Sequence, residues 1–302
     1  MPAPLAVRLS GLMAPVVTPF DAEGELLLTP FALNGRAHLD AGMSGLVVAG
    51  STGEAPFLSD DERGHLVERA RCVVEGDNVL IVGAGAESTA HTIARARAAA
   101  ERGADAVLVV PPHYFGSAMT DVALDTHYRR VADASPCPVL LYNIPKFTHL
   151  ALDPALVASL AGHGNIAGMK DSSGDTARLG RYLESQSASF AVITGHGQTL
   201  AQAVTAGVRG AILAVGLFAT ELALDVMRLT RAGDPAADEL QRRLTPLARE
   251  IAGAMGPAGI KAALDQVGLF GGPVRAPLLP LDDSARGRVA ELLREAGVAL
   301  AT

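Results

Sequence analysis

Eight short apolar segments recur along this chain, and a stretch with helical punctuation follows each of them. The segments are continuously apolar rather than alternating, which is typical of parallel strands that are covered on one face and packed on the other. They lie at residues 12–18, 45–49, 79–82, 106–110, 138–142, 166–170, 191–194 and 210–215. The repeated order of strand and helix predicts a parallel sheet whose connections are helices.

The helices between these strands are marked by capping residues. Ser59, with Glu62 three residues later, predicts a capping box for a helix that runs out at Gly76. Thr29 followed by Pro30 predicts an N-cap and a first helical position. Further starts are expected at Ser88 and Asp153, and further ends at Gly42, Gly103, Gly207 and Gly233.

Eight strands in unbroken alternation with helices favour a (β/α)8 TIM barrel over a doubly wound sheet. We expect the barrel core to occupy residues 1–220, through the eighth strand. Residues 221–302 hold more helix than one closing element needs, with helical patterns at 234–254, 260–267 and 284–296. They predict a closing helix and a helical C-terminal extension packed on the barrel, because no Pro-, Gly- or Ser-rich linker separates them.

Composition excludes several classes of protein. With 49% hydrophobic residues over 302 positions, the chain can bury a large core, so disorder is excluded. The net charge of −7 leaves no strongly basic surface, so nucleic acid is not expected as a partner. No apolar run approaches the ~20 residues of a membrane helix, and residues 1–10 show no export signal. Two cysteines, Cys72 and Cys137, suit a reducing compartment, and a cytoplasmic location is predicted.

In barrels of this kind the reactive side chains come from the carboxyl ends of the strands. Lys170 ends the sixth apolar strand and would point into the barrel mouth, where desolvation disfavours the ammonium form. A neutral amine there can attack a carbonyl carbon and form a Schiff base that permits C–C bond making or breaking. The alternative is a lysine paired at the rim with Asp171.

Two neighbouring strand ends carry groups that suit the same chemistry. Tyr142 ends the fifth strand at matching depth, where its phenol could act as general acid and base, or could be a core ring with a satisfied hydroxyl. Ser51 and Thr52 follow the second strand between two glycines, and their hydroxyls and amides could hold an anion. A plain tight turn is the alternative for that segment.

The remaining polar residues at these strand ends are less specific. His113 and His196 follow the fourth and seventh strands and could touch a substrate, although exposed loop histidines are commoner. The eight histidines show no i,i+4 pair or ligand cluster, so a metal site is not predicted. Glu54 and Asp171 are expected as turn or supporting carboxylates rather than as general bases.

Together these strand ends resemble the dihydrodipicolinate synthase and N-acetylneuraminate lyase superfamily of Schiff-base pyruvate enzymes. The resemblance spans nearly the whole chain and rests on the segments 50–54, 142–145 and 168–171 in family order. It implies that Lys170 forms an imine with pyruvate or another 2-oxo acid and that Tyr142 relays protons. It implies further that Ser51 and Thr52 bind the carboxylate, with Gly195 and Ile212 lining the pocket.

Departures within the superfamily bear on the substrate. The resemblance to synthases implies an arginine five residues beyond the tyrosine, where this chain has Phe147, and an interface tyrosine after the fourth strand, where it has His113 or Tyr114. Segments 168–175 and 271–278 are similar to the 4-hydroxy-2-oxoglutarate aldolase branch. The expected activity is cleavage of a 4-hydroxy-2-oxo acid to pyruvate and an aldehyde, without a cofactor.

Three other functions stay open at this stage. They are a 2-keto-3-deoxy sugar acid aldolase or dehydratase, a dihydrodipicolinate synthase, and a non-catalytic barrel that binds a 2-oxo acid. The resemblance also implies a homotetramer.

Overall fold

The computed structural model describes residues 5–301, so residues 1–4, on which part of the argument about export rests, lie outside it. Eight parallel strands close into a barrel in the order of the chain, with β8 pairing to β1. The strands are β1 Gly11–Pro15, β2 Gly45–Val48, β3 Val79–Gly83, β4 Ala106–Val109, β5 Val139–Asn143, β6 Ile166–Asp171, β7 Ala191–Thr194 and β8 Gly210–Ile212. The predicted (β/α)8 TIM barrel is confirmed, and each predicted strand overlaps an observed one.

Helices surround the barrel and extend beyond it at the C-terminus. They are α1 Leu5–Arg8, α2 Leu28–Asp40, α3 Asp60–Arg71, α4 Thr89–Glu101, α5 Asp121–Ala134, α6 Pro145–Thr148, α7 Pro154–Ala161, α8 Thr176–Leu183, α9 Leu200–Ala206, α10 Thr220–Ala232, α11 Ala236–Pro246, α12 Gly256–Gln266 and α13 Asp283–Glu295. The helices α11 to α13 form the expected C-terminal extension. No helix in residues 5–301 is long and apolar enough to span a membrane.

Most predicted caps are confirmed, but α2 and α3 each have one boundary that differs from the prediction. Ser59 and Glu62 form the capping box of α3. That helix ends at Arg71 and not near Gly76, because the N–H groups of Val73 and Val74 both donate to Ala70 O and close the last turn. The helix α2 begins at Leu28, before Thr29, because Phe31 N–H donates to Leu27 O at 3.3 Å.

The C-terminal segment departs from the predicted continuous helix at 234–254. The helix α11 ends at Pro246, and residues Leu247–Met255 form a π-helical segment before α12 begins. Proline has no N–H to continue the i→i−4 bonding, which accounts for the break at this position. Four residues of the π-helical segment face the barrel mouth, as described below.

The core has two layers. Inside the barrel, aliphatic side chains from alternate strand positions, including Val47, Ile81, Leu140 and Ile193, pack against one another. A larger apolar layer lies between the strands and the helices. Gly168 lies directly beside the backbone of β7, because a Cβ added there would clash with Ala191 O. This filled interior closes the lower barrel and leaves the site to the mouth.

Candidate active site at the barrel mouth

Lys170 and Tyr142 lie side by side at the carboxyl ends of β6 and β5. The two residues are direct partners in the register of these strands. Lys170 Nζ donates to Tyr142 Oη at 3.4 Å and lies 4.5 Å from the centre of the tyrosine ring. Because both side chains are buried, at 7% and 5% exposure, the amine and the phenol meet in a site shielded from bulk water.

The alternative of a rim ion pair between Lys170 and Asp171 is not what the structure contains. Asp171 Oδ1 instead accepts from Asn143 Nδ2 at 2.7 Å, and Oδ2 accepts from Ser173 Oγ at 2.9 Å. Burial raises the pKa of Asp171, while these hydrogen bonds act in the opposite direction. Within residues 5–301 no carboxylate lies within salt-bridge distance of Lys170. Asp171 therefore fixes the strand ends beside the site, and the amine stays available to a substrate.

A cavity of about 350 Å³ opens above this pair, enough for a small organic acid. It brings together most of the residues singled out from the sequence: Ser51, Thr52, Tyr142, Lys170, Gly195 and Ile212. Ser51 Oγ lies 3.5 Å from Tyr142 Oη, so the hydroxyls of the β2 loop adjoin the phenol. The cavity therefore contains a nucleophile, a proton-transfer group and a set of hydroxyl donors.

Ser172 is a site residue to which the sequence argument gave no role. Its Oγ is buried and has no hydrogen-bond partner within the part of the chain described, and it lines the Lys170 cavity. A Cβ added at Gly195 would stand 2.0 Å from this Oγ and 2.5 Å from Lys170 Cε. The glycine is therefore required for the serine and the lysine to share this wall, and the Ser172 hydroxyl has no hydrogen-bond partner among the described residues.

A buried ion pair anchors the loop that carries Ser51 and Thr52. Glu54 closes this loop in a left-handed conformation (φ 56°), and its Oε1 lies 2.6 Å from Lys261 Nζ. Each side chain is at most 1% exposed. Glu54 Oε2 also accepts from the backbone N–H of Arg275 at 2.8 Å, and Lys261 Nζ donates to Pro273 O at 2.7 Å. The segment 271–278 therefore holds the loop in place.

His113, unlike the other predicted site residues, does not line the Lys170 cavity. It lines an adjoining cavity of about 670 Å³, with Glu87 Oε1 3.0 Å from its Nδ1. His196 does line the Lys170 cavity, and burial lowers its pKa. Its Nδ1 lies 3.0 Å from Thr199 Oγ1. The structure therefore places His196, and not His113, among the residues that line the Lys170 cavity.

Phe147 lies at the mouth and lines both cavities, with 49% of its surface exposed. It occupies the position, five residues beyond Tyr142, at which the resemblance to synthases implies an arginine. No cluster of metal-ligating side chains occurs within residues 5–301.

Comparison with known proteins places this geometry among related enzymes. The family model for the dihydrodipicolinate synthetase family matches residues 8–296. A 4-hydroxy-tetrahydrodipicolinate synthase of Stenotrophomonas maltophilia is 40% identical over 91% of this chain and 92% of its own length. A DapA-like lyase of Halobacterium salinarum, named as uncharacterized, is 38% identical over 96% of this chain and 95% of its own length.

Among solved structures, the pyruvate complex of dihydrodipicolinate synthase from Acinetobacter baumannii superposes with a TM-score of 0.90 at 29% identity. The alignment covers 96% of this chain and all of the other.

Proposed function

This chain belongs to the dihydrodipicolinate synthetase family of pyruvate-dependent lyases and synthases, and from that premise we propose that it cleaves a 4-hydroxy-2-oxo acid to pyruvate and an aldehyde. The observation that carries the proposal is the buried contact of 3.4 Å between Lys170 Nζ and Tyr142 Oη in a cavity of small-acid size. An amine beside a phenol suits imine chemistry, because every step from attack to hydrolysis moves a proton.

In the proposed reaction Lys170 Nζ attacks the C2 carbonyl carbon of the substrate and forms a carbinolamine. Tyr142 protonates the departing hydroxyl, water leaves, and an iminium remains between C2 and Nζ. Ser51 and Thr52 supply the hydroxyl and amide donors for the adjacent carboxylate, since both line this cavity. These contacts orient the carbonyl carbon toward the amine.

Cleavage then uses the iminium as the electron acceptor. A base removes the proton from the C4 hydroxyl, the C3–C4 bond breaks, and its electron pair moves toward nitrogen to give an enamine. The aldehyde leaves with C4, the enamine is protonated at C3, and water releases pyruvate from Lys170. Tyr142, left as a phenolate by the dehydration step, takes up a proton from the attacking water at the hydrolysis step. The proposed route needs no cofactor, because the covalent imine itself accepts the electrons.

Dihydrodipicolinate synthesis is the second candidate, and the names of relatives such as the Stenotrophomonas enzyme favour it. The observation in favour of aldol cleavage is Phe147, a half-exposed aromatic ring at the mouth. A phenyl ring cannot itself pair with the carboxylate of a second substrate as an arginine at this position can, so such a carboxylate would have to bind elsewhere at the mouth. A 2-keto-3-deoxy sugar acid would use the same imine, and its polyol would then have to meet this apolar ring.

A substrate comparison tests the proposal. Purified protein is given 4-hydroxy-2-oxoglutarate, a 2-keto-3-deoxy sugar acid, or pyruvate with aspartate semialdehyde, and release or consumption of pyruvate is followed with lactate dehydrogenase. We expect the highest kcat/KM with the 4-hydroxy-2-oxo acid and no activity in the Lys170→Ala variant. Faster consumption of pyruvate with aspartate semialdehyde would replace the proposal with the synthase assignment.

We also propose that the protein works as a homotetramer. Three apolar side chains after β4 and on α5 are largely exposed in the single chain, namely Tyr114, Phe115 and Val122, at 70–78%. A second copy of this chain would cover them. Size-exclusion chromatography with light scattering measures the mass of the assembly. A monomer mass at micromolar concentration would contradict the proposed homotetramer.

A further inference from the structure

One wall of the Lys170 cavity is formed by the π-helical segment 247–255. Four of its residues, Ala248, Arg249, Ala252 and Gly253, line the cavity. Segments with i→i+5 bonding are rare and occur frequently at functional sites. Three of the four residues are alanine or glycine, and Arg249 is the charged one among the four.

The charges of the cavity lining are of one sign. Its charged side chains are Lys146, Lys170 and Arg249, and neither an aspartate nor a glutamate is among the residues that line it. This contrasts with the net charge of −7 for the whole chain. Lys170 is the nucleophile, and Ser51 and Thr52 are assigned to the carboxylate beside the carbonyl. Two cations at the mouth therefore exceed what a monocarboxylate such as pyruvate needs.

Both mouth cations lie at the π-helical segment 247–255. Lys146, in α6, donates through Nζ to the backbone oxygen of Gly253 and lies 5.2 Å from the centre of the Phe147 ring. Arg249 donates through Nη2 to Glu250 Oε1 at 3.0 Å, while the other oxygen of Glu250 accepts from Arg288 at 3.3 Å. Arg249 thus shares its one carboxylate partner and is 60% exposed.

We propose that Arg249, together with Lys146, binds the distal carboxylate of a dicarboxylic 2-oxo acid. The inference rests on the proposed imine at Lys170, which fixes the other end of the substrate inside the cavity. A five-carbon dicarboxylate then has one carboxylate at the hydroxyls of the β2 loop and the second at the mouth. A guanidinium forms charge-assisted, often bidentate hydrogen bonds with a carboxylate, which supplies the recognition.

The test separates this inference from the cleavage reaction. Two unreactive five-carbon acids, 2-oxoglutarate and 2-oxopentanoate, share the 2-oxo acid end and differ in the distal carboxylate. Each is titrated into the protein with borohydride, and the adduct on intact protein is measured by mass spectrometry. The readout is the concentration that gives half-maximal trapping, which requires imine formation but no aldol cleavage.

The wild-type protein is expected to trap 2-oxoglutarate at lower concentration than 2-oxopentanoate. Arg249→Gln should raise the half-maximal concentration for 2-oxoglutarate about tenfold and leave that for 2-oxopentanoate unchanged. Arg242→Gln is the matched control, because Arg242 is 75% exposed on the neighbouring helix α11 and does not line the cavity. It should change neither value.

Two results would overturn the inference. One is an equal shift for both acids in Arg249→Gln, which would indicate a general change in the site. The other is no preference for 2-oxoglutarate in the wild-type protein. If the preference depends on Arg249 but no 4-hydroxy-2-oxo acid is cleaved, the inference is supported and the proposed reaction fails.

Discussion

Replacing Lys261 by methionine removes the cation of the ion pair that anchors the β2 loop. Methionine retains the length and much of the volume of the side chain, so the packing against Phe20 is largely kept, while the carboxylate of Glu54 is left without its partner 2.6 Å away. Both side chains are at most 1% exposed, so water cannot screen the uncompensated charge. Removing one member of a buried pair costs about 3–5 kcal/mol in the free energy of unfolding.

For a chain of this size each kcal/mol corresponds to about 2 °C, so we expect the Tm of Lys261→Met to fall by about 6–10 °C. Glu54→Gln should also destabilise, because it leaves Lys261 buried without a counter-charge. The double variant should lose less than the sum of the two single losses, since it leaves no unpaired charge. Differential scanning calorimetry and urea unfolding at neutral pH measure these differences.

A functional consequence follows from the position of Glu54 at the end of the loop that carries Ser51 and Thr52. The pyruvate concentration for half-maximal borohydride trapping should rise in Lys261→Met at a temperature where the variant is folded. Arg228→Met is the control, because its side chain is 67% exposed in a surface pair with Asp225 and should change stability by less than about 0.5 kcal/mol. A loss below about 1 kcal/mol in Lys261→Met, with unchanged trapping, would refute the anchoring role.

Three further predictions concern the site and the pH dependence of stability. Tyr142→Phe should lower kcat by about 10²–10⁴-fold while leaving pyruvate trappable on longer incubation, and a kcat within threefold of wild type in steady-state assays would exclude the proton-transfer role. Gly195→Ala should abolish borohydride trapping of pyruvate, because the added Cβ would stand 2.0 Å from Ser172 Oγ. Gly180→Ala is the control, because the space around Gly180 is open and trapping should be normal. Equal labelling of the two variants in intact-mass spectra would contradict this prediction. Burial lowers the pKa of His38 to about 4 in the folded protein, whereas the unfolded chain binds this proton near pH 6.5. The contribution of His38 to the free energy of unfolding is therefore fully present above pH 6.5. It declines by roughly 3 kcal/mol as the pH falls from 6.5 to 4. Urea titrations at pH 7.5 and 5 should therefore show a smaller pH-dependent loss in His38→Gln, and an unchanged loss would refute the assignment.

The barrel could be predicted from the sequence because its signal is repeated and local. Continuous apolar strands, and caps such as Ser59 with Glu62, specify their elements with a few neighbouring residues. The helix boundaries that were predicted wrongly depend on tertiary contacts or on single residues. The apolar periodicity of the sequence carries no information about either. Pro246 ends α11 inside what looks like one long helix, and the π-helical segment that follows has no sequence signature of its own.

The site was predictable where it follows strand ends and not where it depends on distant packing. Lys170 and Tyr142 meet because adjacent parallel strands place their carboxyl ends at one level. The pairing of Glu54 with Lys261 joins residues about two hundred positions apart, and nothing local indicates it. Ser172 stood within a segment noted for its resemblance, but its free hydroxyl is visible only once its neighbours are placed.

The central claim, that Lys170 forms an imine with pyruvate, is tested most directly by borohydride reduction. The chain contains three lysines, Lys146, Lys170 and Lys261, so peptide mass spectrometry can assign a reduced adduct without ambiguity. Incubation with pyruvate and borohydride should label one lysine per chain, at Lys170, with loss of activity in step with labelling. Labelling at Lys146 instead, or no labelling of the folded protein, would contradict the account.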